Sequence, residues 1–270
     1  MNISFIGGGN MASALIGGLV AQGFDAAQIR VADVSHETRE ALQARYPVQT
    51  FASVDAESVA SEIIVLAVKP QQLREVAATL APLLHRQLVI SIAAGVRSGD
   101  LSRWLGGYRQ LVRSMPNTPA MVSAGMSGLY ALPEVAQPQR EQAEIVLRAV
   151  GATLWLSEEA QMDGVTAVSG SGPAYVFYFM EAMQTAATEL GFSPQQARTL
   201  TLQTFRGAAS LASQSEEDTA TLRARVTSRG GTTERALASM EEAAVKAAII
   251  QAIHAAAARS RELGDALGKE

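Results

Sequence analysis

The run Asn2-Ile3-Ser4-Phe5-Ile6-Gly7-Gly8-Gly9-Asn10-Met11-Ala12 sets three successive glycines between a strand-like stretch and a segment with helical apolar spacing. Gly7 and Gly9 fit the first two glycines of the G-x-G-x-x-G/A fingerprint, and Ala12 takes its third position. The first glycine allows a tight turn, and the second lets backbone approach a pyrophosphate. The helix that follows offers unpaired amides and positive potential to an anion. Strand, turn and helix in this order predict a dinucleotide site built from Ile6, Gly7, Gly8, Gly9, Asn10 and Met11. A purely structural glycine turn is the competing reading, and the rest of the chain argues against it.

Further strand-like runs recur at 28–33, 62–70, 87–95 and 110–119, each ending in turn residues, with helical patterns such as 11–21 and 71–80 between them. Such alternation builds a mostly parallel sheet covered by helices on both faces, an α/β Rossmann-like domain. Ligands bind these sheets at the carboxyl ends of the strands. Three more turns fall on that edge: Ala67-Val68-Lys69-Pro70, Ala93-Ala94-Gly95 and Met115-Pro116-Asn117-Thr118-Pro119. The prolines framing Asn117 hold polar groups rigidly, which suits the nicotinamide end of a cofactor.

Asp33 ends the second strand, where an acid holds the ribose 2′-hydroxyl of NADH and repels the 2′-phosphate of NADPH. Ser35, His36 and Arg39 follow and could turn a hydroxyl, an imidazole and a guanidinium toward that phosphate. They fit solvent-facing positions at a helix start equally well. The expected cofactor is therefore NADPH or NADH.

Two more strand-like pieces, 125–131 and 152–157, flank a helix from about 138 to 150, and after Glu158 the strands stop. The remainder is helical and alanine-rich, so the chain divides into a nucleotide-binding domain, 1–158, and an all-α domain, 159–270. In the latter, Tyr175-Val176-Phe177-Tyr178-Phe179-Met180 is apolar around the whole helix circumference, whereas a helix on a monomer surface shows one apolar stripe. Such a helix must be buried on every side, in its own domain's core or against another subunit. About a hundred helical residues make a thin core alone, which favours self-association through these helices.

Composition removes other functions. With 5% aromatic residues, a net charge of -4 and no basic run, the chain does not read as a nucleic-acid binder. It has no cysteine, and its three histidines are far apart, so neither thiol chemistry nor a metal site is expected. Neither a signal peptide nor a membrane-spanning run is visible, and a cytoplasmic location is the default expectation.

The helical half breaks at Ser228-Arg229-Gly230-Gly231-Thr232-Thr233. Two adjacent glycines inside a helix cost roughly 1 kcal/mol each relative to alanine, so the break needs a reason. A helix starting near Thr232 would face its free amides toward the loop, and Ser228, Thr232 and Thr233 add hydroxyls. The combination suits a carboxylate, with Thr233 also able to reach a ring nitrogen. An ordinary N-cap is the simpler alternative, but one hydroxyl would suffice for it.

Taken together, 6-IGGGNM-11, 67-AVKP-70, 91-SIAAGV-96, 115-MPNTPA-120, 165-VTAVSGSGPAY-175 and 226-VTSRGGTT-233 resemble the pyrroline-5-carboxylate reductase family, in family order through nearly the entire chain. The resemblance implies a Rossmann-like domain followed by a helical domain that interlocks with a second subunit. It also implies reduction of a cyclic imine carboxylate to L-proline, the final step of proline biosynthesis. By the same resemblance the loop with Val226, Ser228, Gly230, Gly231, Thr232 and Thr233 holds the substrate carboxylate and Thr233 meets the ring nitrogen, and the expected grip is by Ser228 with the amides of 231–233. One departure is local: the family reads Ser-Pro-Gly-Gly-Thr, and Arg229 stands in the proline position. Rival readings are a related imine reductase or hydroxyacid dehydrogenase, or a non-catalytic NAD(P)-binding regulator. The segment 174–190 lacks the lysine that hydroxyacid enzymes place there, and a regulator would not need the 228–233 loop.

Overall fold

The apolar runs Ile3–Ile6 (β1), Ile29–Ala32 (β2), Ile63–Leu66 (β4) and Leu88–Ser91 (β5) are buried almost throughout, as strands covered on both faces must be. With Gln49–Phe51 (β3), Leu111–Met115 (β6), Gly125–Ala131 (β7) and Gly151–Trp155 (β8), they form one sheet in the computed structural model, which describes residues 1–269. Its order is β3-β2-β1-β4-β5-β6-β7-β8, and every neighbouring pair is parallel except β6 and β7. This is the mostly parallel sheet the alternation predicts. The edge strand β3 was not expected. Its Gln-Thr-Phe is too short and too polar to show a strand period, and its pairing with β2 defines it.

Alternation of side chains sends the sheet's residues to two cores. On one face Ile3, Phe5, Ile29 and Val31 pack with Leu15, Ile16 and Leu19 of the helix Asn10–Ala21 (α1). On the other, Ile6, Ile64 and Leu66 join Leu73, Ala77 and Leu80 from the helix Leu73–Leu80 (α3). The helix His36–Arg45 (α2) follows β2, Ser98–Trp104 (α4) follows β5, and Gln137–Arg148 (α5) links β7 to β8. From β1 the chain order runs outward through β2 and β3 on one side and through β4, β5 and β6 on the other, and this reversal of strand order between β1 and β4 opens a crevice at their carboxyl ends.

The chain separates into one unit of Met1–Ser171 plus the segment from Ala256 onward, and a second of Gly172–Ala255. The first unit thus runs past residue 158. Its extension holds the helix Gln161–Val165 (α6) and a π-helical turn, Thr166–Gly170, and it buries Met162 and Ala167 completely. The end of the helix Val245–Lys269 (α11) belongs here too: the buried Ser260 hydroxyl donates to Asp163 at 2.6 Å.

The second unit holds the helices Gly172–Glu189 (α7), Pro194–Gln214 (α8), Thr219–Arg225 (α9), Thr232–Glu242 (α10) and the start of α11. Ser193 and Gln196 form a reciprocal capping box that starts α8. Within this unit only Ala197 and Thr201 are buried. Phe177 is 62% exposed and Tyr178 73%, so the segment expected to be buried on every side has no intrachain core around it. Among the described residues, no helix is long and apolar enough to cross a membrane.

Candidate active site

The glycine turn is built as its spacing requires. Gly7 has a φ of 98°, and a Cβ there would lie 2.7 Å from the Ala67 carbonyl oxygen, so both conformation and space demand glycine. A Cβ on Gly9 would meet nothing within 4 Å, which leaves open the face a pyrophosphate needs. Gly9 caps α1 without a side-chain acceptor, so the first amides of that twelve-residue helix keep no protein partner. Ala12 is buried where the helix meets the sheet. These residues fit a dinucleotide.

Ile6, Gly7, Asp33 and Val68 line one cleft of about 390 Å³, with Ser53 and Thr79 among its polar walls. Gly8, Gly9 and Asn10 line a neighbouring hollow beside Thr38 and Arg45 on α2. Met11 is half-buried in the first turn of α1. Lys69 is exposed at the end of β4 and precedes a 3-10 turn at Pro70–Gln72. After β5, Ala94 is exposed between the buried Ala93 and Gly95, and Gly95 has a φ of 80°.

The residues just after β2 have structural partners. The Asp33 carboxylate accepts from the Gly8 amide at 2.7 Å and from the Ser35 amide at 2.8 Å. Ser35 caps α2 by accepting from Thr38, and His36 sits 3.4 Å from Glu40. Arg39 donates to the carbonyls of Asp33 and Val34 at 2.6 and 3.1 Å.

Asn117 is also engaged within the protein: its amide donates to the Ser169 carbonyl and hydroxyl, both at 3.1 Å, and its oxygen accepts from the Met126 amide at 2.9 Å. It joins the Pro-framed loop to the π-helical turn and to β7. A network around Glu159 was not foreseen. Its carboxylate accepts from the Ser98 amide and hydroxyl, both at 2.6 Å, and pairs with the buried Arg113 at 2.9 Å. That fixes the chain just beyond Gly95. These partners are 46 and 61 residues away in sequence, so no local pattern marks them.

In the second unit, α9 ends at Arg225 with Val226 as its C-cap, and α10 begins at Thr232, as expected. Gly230 turns the chain with a φ of 73°. Its amide donates to the Glu234 carboxylate at 2.6 Å, and the Gly231 amide donates to the Ser228 carbonyl at 3.0 Å. Both glycine amides thus have partners within the loop. The free amides begin at Thr232. The N-cap of α10 is Gly231, with no side-chain hydrogen bond, so none of Ser228, Thr232 and Thr233 acts as an ordinary cap. Arg229 is exposed and makes no ion pair among the described residues. Val226 is 63% exposed at the mouth of the loop.

Comparison with known proteins extends these observations. Residues 159–263 match the family model for pyrroline-5-carboxylate reductase dimerisation, and residues 2–95 match that for NADP oxidoreductase, coenzyme F420-dependent. The chain is 51% identical to the pyrroline-5-carboxylate reductase of Pseudomonas aeruginosa over 99% of its own length and 98% of the relative's. A solved pyrroline-5-carboxylate reductase from Coxiella burnetii is 42% identical, with a TM-score of 0.91 over 97% of this chain and 98% of that one. The Plasmodium falciparum pyrroline carboxylate reductase, solved with NADP bound, is 29% identical with a TM-score of 0.86 over 98% of each chain.

Proposed function

Because the chain belongs to the pyrroline-5-carboxylate reductase family, we propose that its substrate is held by the loop 226–233 and aligned by Thr233. The reaction itself is that of the family: 1-pyrroline-5-carboxylate is reduced to L-proline with a nicotinamide cofactor, in proline biosynthesis. The observation that carries the loop assignment is the N-terminus of α10, where Gly231 caps the helix without a side chain. The amides of Thr232 and Thr233 then face outward, with the Ser228 and Thr233 hydroxyls beside them in sequence. Together they suit a carboxylate and an adjacent ring nitrogen.

A bound dihydronicotinamide supplies a hydride for the imine carbon. Protonation of the imine nitrogen makes that carbon the better electrophile, so the protein need mainly orient the ring and offset the carboxylate charge. In this reading Thr233 orients the nitrogen, the Thr232 and Thr233 amides with Ser228 hold the carboxylate, and solvent delivers the proton. No histidine or lysine acid is required.

For the cofactor, both NADPH and NADH serve, with NADPH modestly ahead. The Asp33 charge is offset by two amides, and the Arg39 guanidinium lies beside the same loop. The cofactor contacts are assigned to the glycine turn and to the strand ends carrying Val68 to Pro70 and Ala93 to Gly95, with Asn117 positioning its loop. The assembly is at least a dimer, formed by the helices whose apolar side chains α7 leaves exposed.

The test is Thr233→Ala. Loss of a hydrogen bond to a charged group should lower kcat/KM for the imine roughly 10- to 150-fold. Cofactor dissociation and melting temperature should stay unchanged, since Thr233 does not cap α10. Normal imine kinetics would remove Thr233 from the site.

A further inference from the structure

The sequence position of Asp33 suggests a group that reads the ribose 2′ position, and its geometry points elsewhere. We propose that Asp33 is a positioning residue that braces the glycine turn, supporting NADPH and NADH alike. This rests on the reading of the same crevice as the cofactor site.

Two consecutive amides stitch the turn after β1 to the end of β2. Gly7 donates to the Ala32 carbonyl at 2.8 Å, and Gly8 donates to the Asp33 carboxylate at 2.7 Å. The other carboxylate oxygen accepts from the Ser35 amide at 2.8 Å, which fixes the side chain's direction. Asp33 is itself held, because its own amide donates to the Phe51 carbonyl on β3 at 3.0 Å. Gly8 is buried, so its amide depends on the carboxylate for a partner within the protein.

Gly8 is also packed tightly against α2. A Cβ there would lie 2.7 Å from a Leu42 methyl, 2.9 Å from a Thr38 methyl and 3.4 Å from the Asp33 carboxylate. Gly8 is thus hemmed in by α2 and Asp33 together, while the unobstructed face of the turn lies at Gly9. Any cofactor whose pyrophosphate meets that face depends on the brace, whatever its 2′ substituent. A residue acting mainly by charge on the 2′-phosphate would instead separate the two cofactors.

The experiment compares wild-type full-length protein with Asp33→Ser and Asp33→Asn, titrating each with NADPH and with NADH by nicotinamide fluorescence and recording a melting curve. Serine can still reach the Ser35 amide but is too short for Gly8, and asparagine keeps only one accepting oxygen. The Kd for both cofactors should rise about tenfold in Asp33→Ser, with their ratio unchanged within about twofold. Tighter NADPH binding, a ratio altered by about tenfold, or a lowered melting temperature with unchanged Kd would overturn the inference. Amide exchange in the cofactor-free wild type supplies a readout independent of the variants. A protected Gly8 amide supports the brace, and exchange at the free-peptide rate overturns it. Wild-type protein that binds neither cofactor would overturn the cofactor reading, and the inference with it.

Discussion

Gly7 and Gly9 are both glycines of the fingerprint, yet their replacement by alanine should fail in different ways. At Gly7 the positive φ and the 2.7 Å approach to Ala67 oppose any side chain, so Gly7→Ala should destabilise the fold by about 1–3 kcal/mol. At Gly9 there is room for a methyl group, so Gly9→Ala should keep its melting temperature and lose cofactor affinity. Denaturant titration and cofactor binding on the two variants separate these outcomes. The tight turn at Gly7 and the open backbone at Gly9 were legible because the fingerprint encodes a local turn. The tightness at Gly8 was not, because it comes from Leu42 and Thr38 on another helix. Likewise, the framing prolines flagged Asn117, but its bonds to Ser169 and Met126 are tertiary.

Elements were legible where a period or a cap was strong. The four buried strands, the start of α10 and the all-α second half follow from local pattern. Strand β3 and the return of α11 to the first unit do not, because each exists through contacts with distant partners. Arg97 pairs with Asp265, and Arg103 donates to the Gly268 carbonyl at 2.9 Å, 165 residues away. The worth of these links depends on exposure. Asp265→Ala removes a half-exposed ion pair and should cost less than about 1 kcal/mol. Ser260→Ala takes the hydroxyl from Asp163 at a buried position and should cost about 1–3 kcal/mol by denaturant titration.

A pH effect belongs to α9, which leads into the 226–233 loop. Asp218 caps it, and the hydrogen bond from the Thr221 backbone amide holds the Asp218 pKa below its ordinary 3.8. The folded pKa is depressed, so the cap is fully present above the ordinary value and is lost as pH falls through the folded one. Exchange of the Thr221 amide, corrected for intrinsic rates, should accelerate only in that acid range.

For the whole molecule, the apolar circumference of α7 is the feature that links sequence to assembly. Phe177 is 62% exposed in the chain, and α7 has no buried residue. Covered by a second copy, Phe177→Asp should place a charge in an apolar interface, so the variant should sediment as a smaller species or fail to fold. Wild-type protein sedimenting as a monomer at micromolar concentration would contradict this assembly. Sequence pattern predicted that α7 must be covered and favoured a second subunit over an intrachain core, and in the chain itself the α7 side chains are left uncovered. In the proposed reading the 226–233 loop grips the substrate carboxylate and so aligns the ring for reduction. The measurement that tests this most directly is NADPH oxidation with 1-pyrroline-5-carboxylate against 1-pyrroline, which has the same ring and imine but no carboxylate. The expected result is L-proline formation from the first and a kcat/KM at least about tenfold lower for the second. Equal turnover of the two, or none with either, would contradict it.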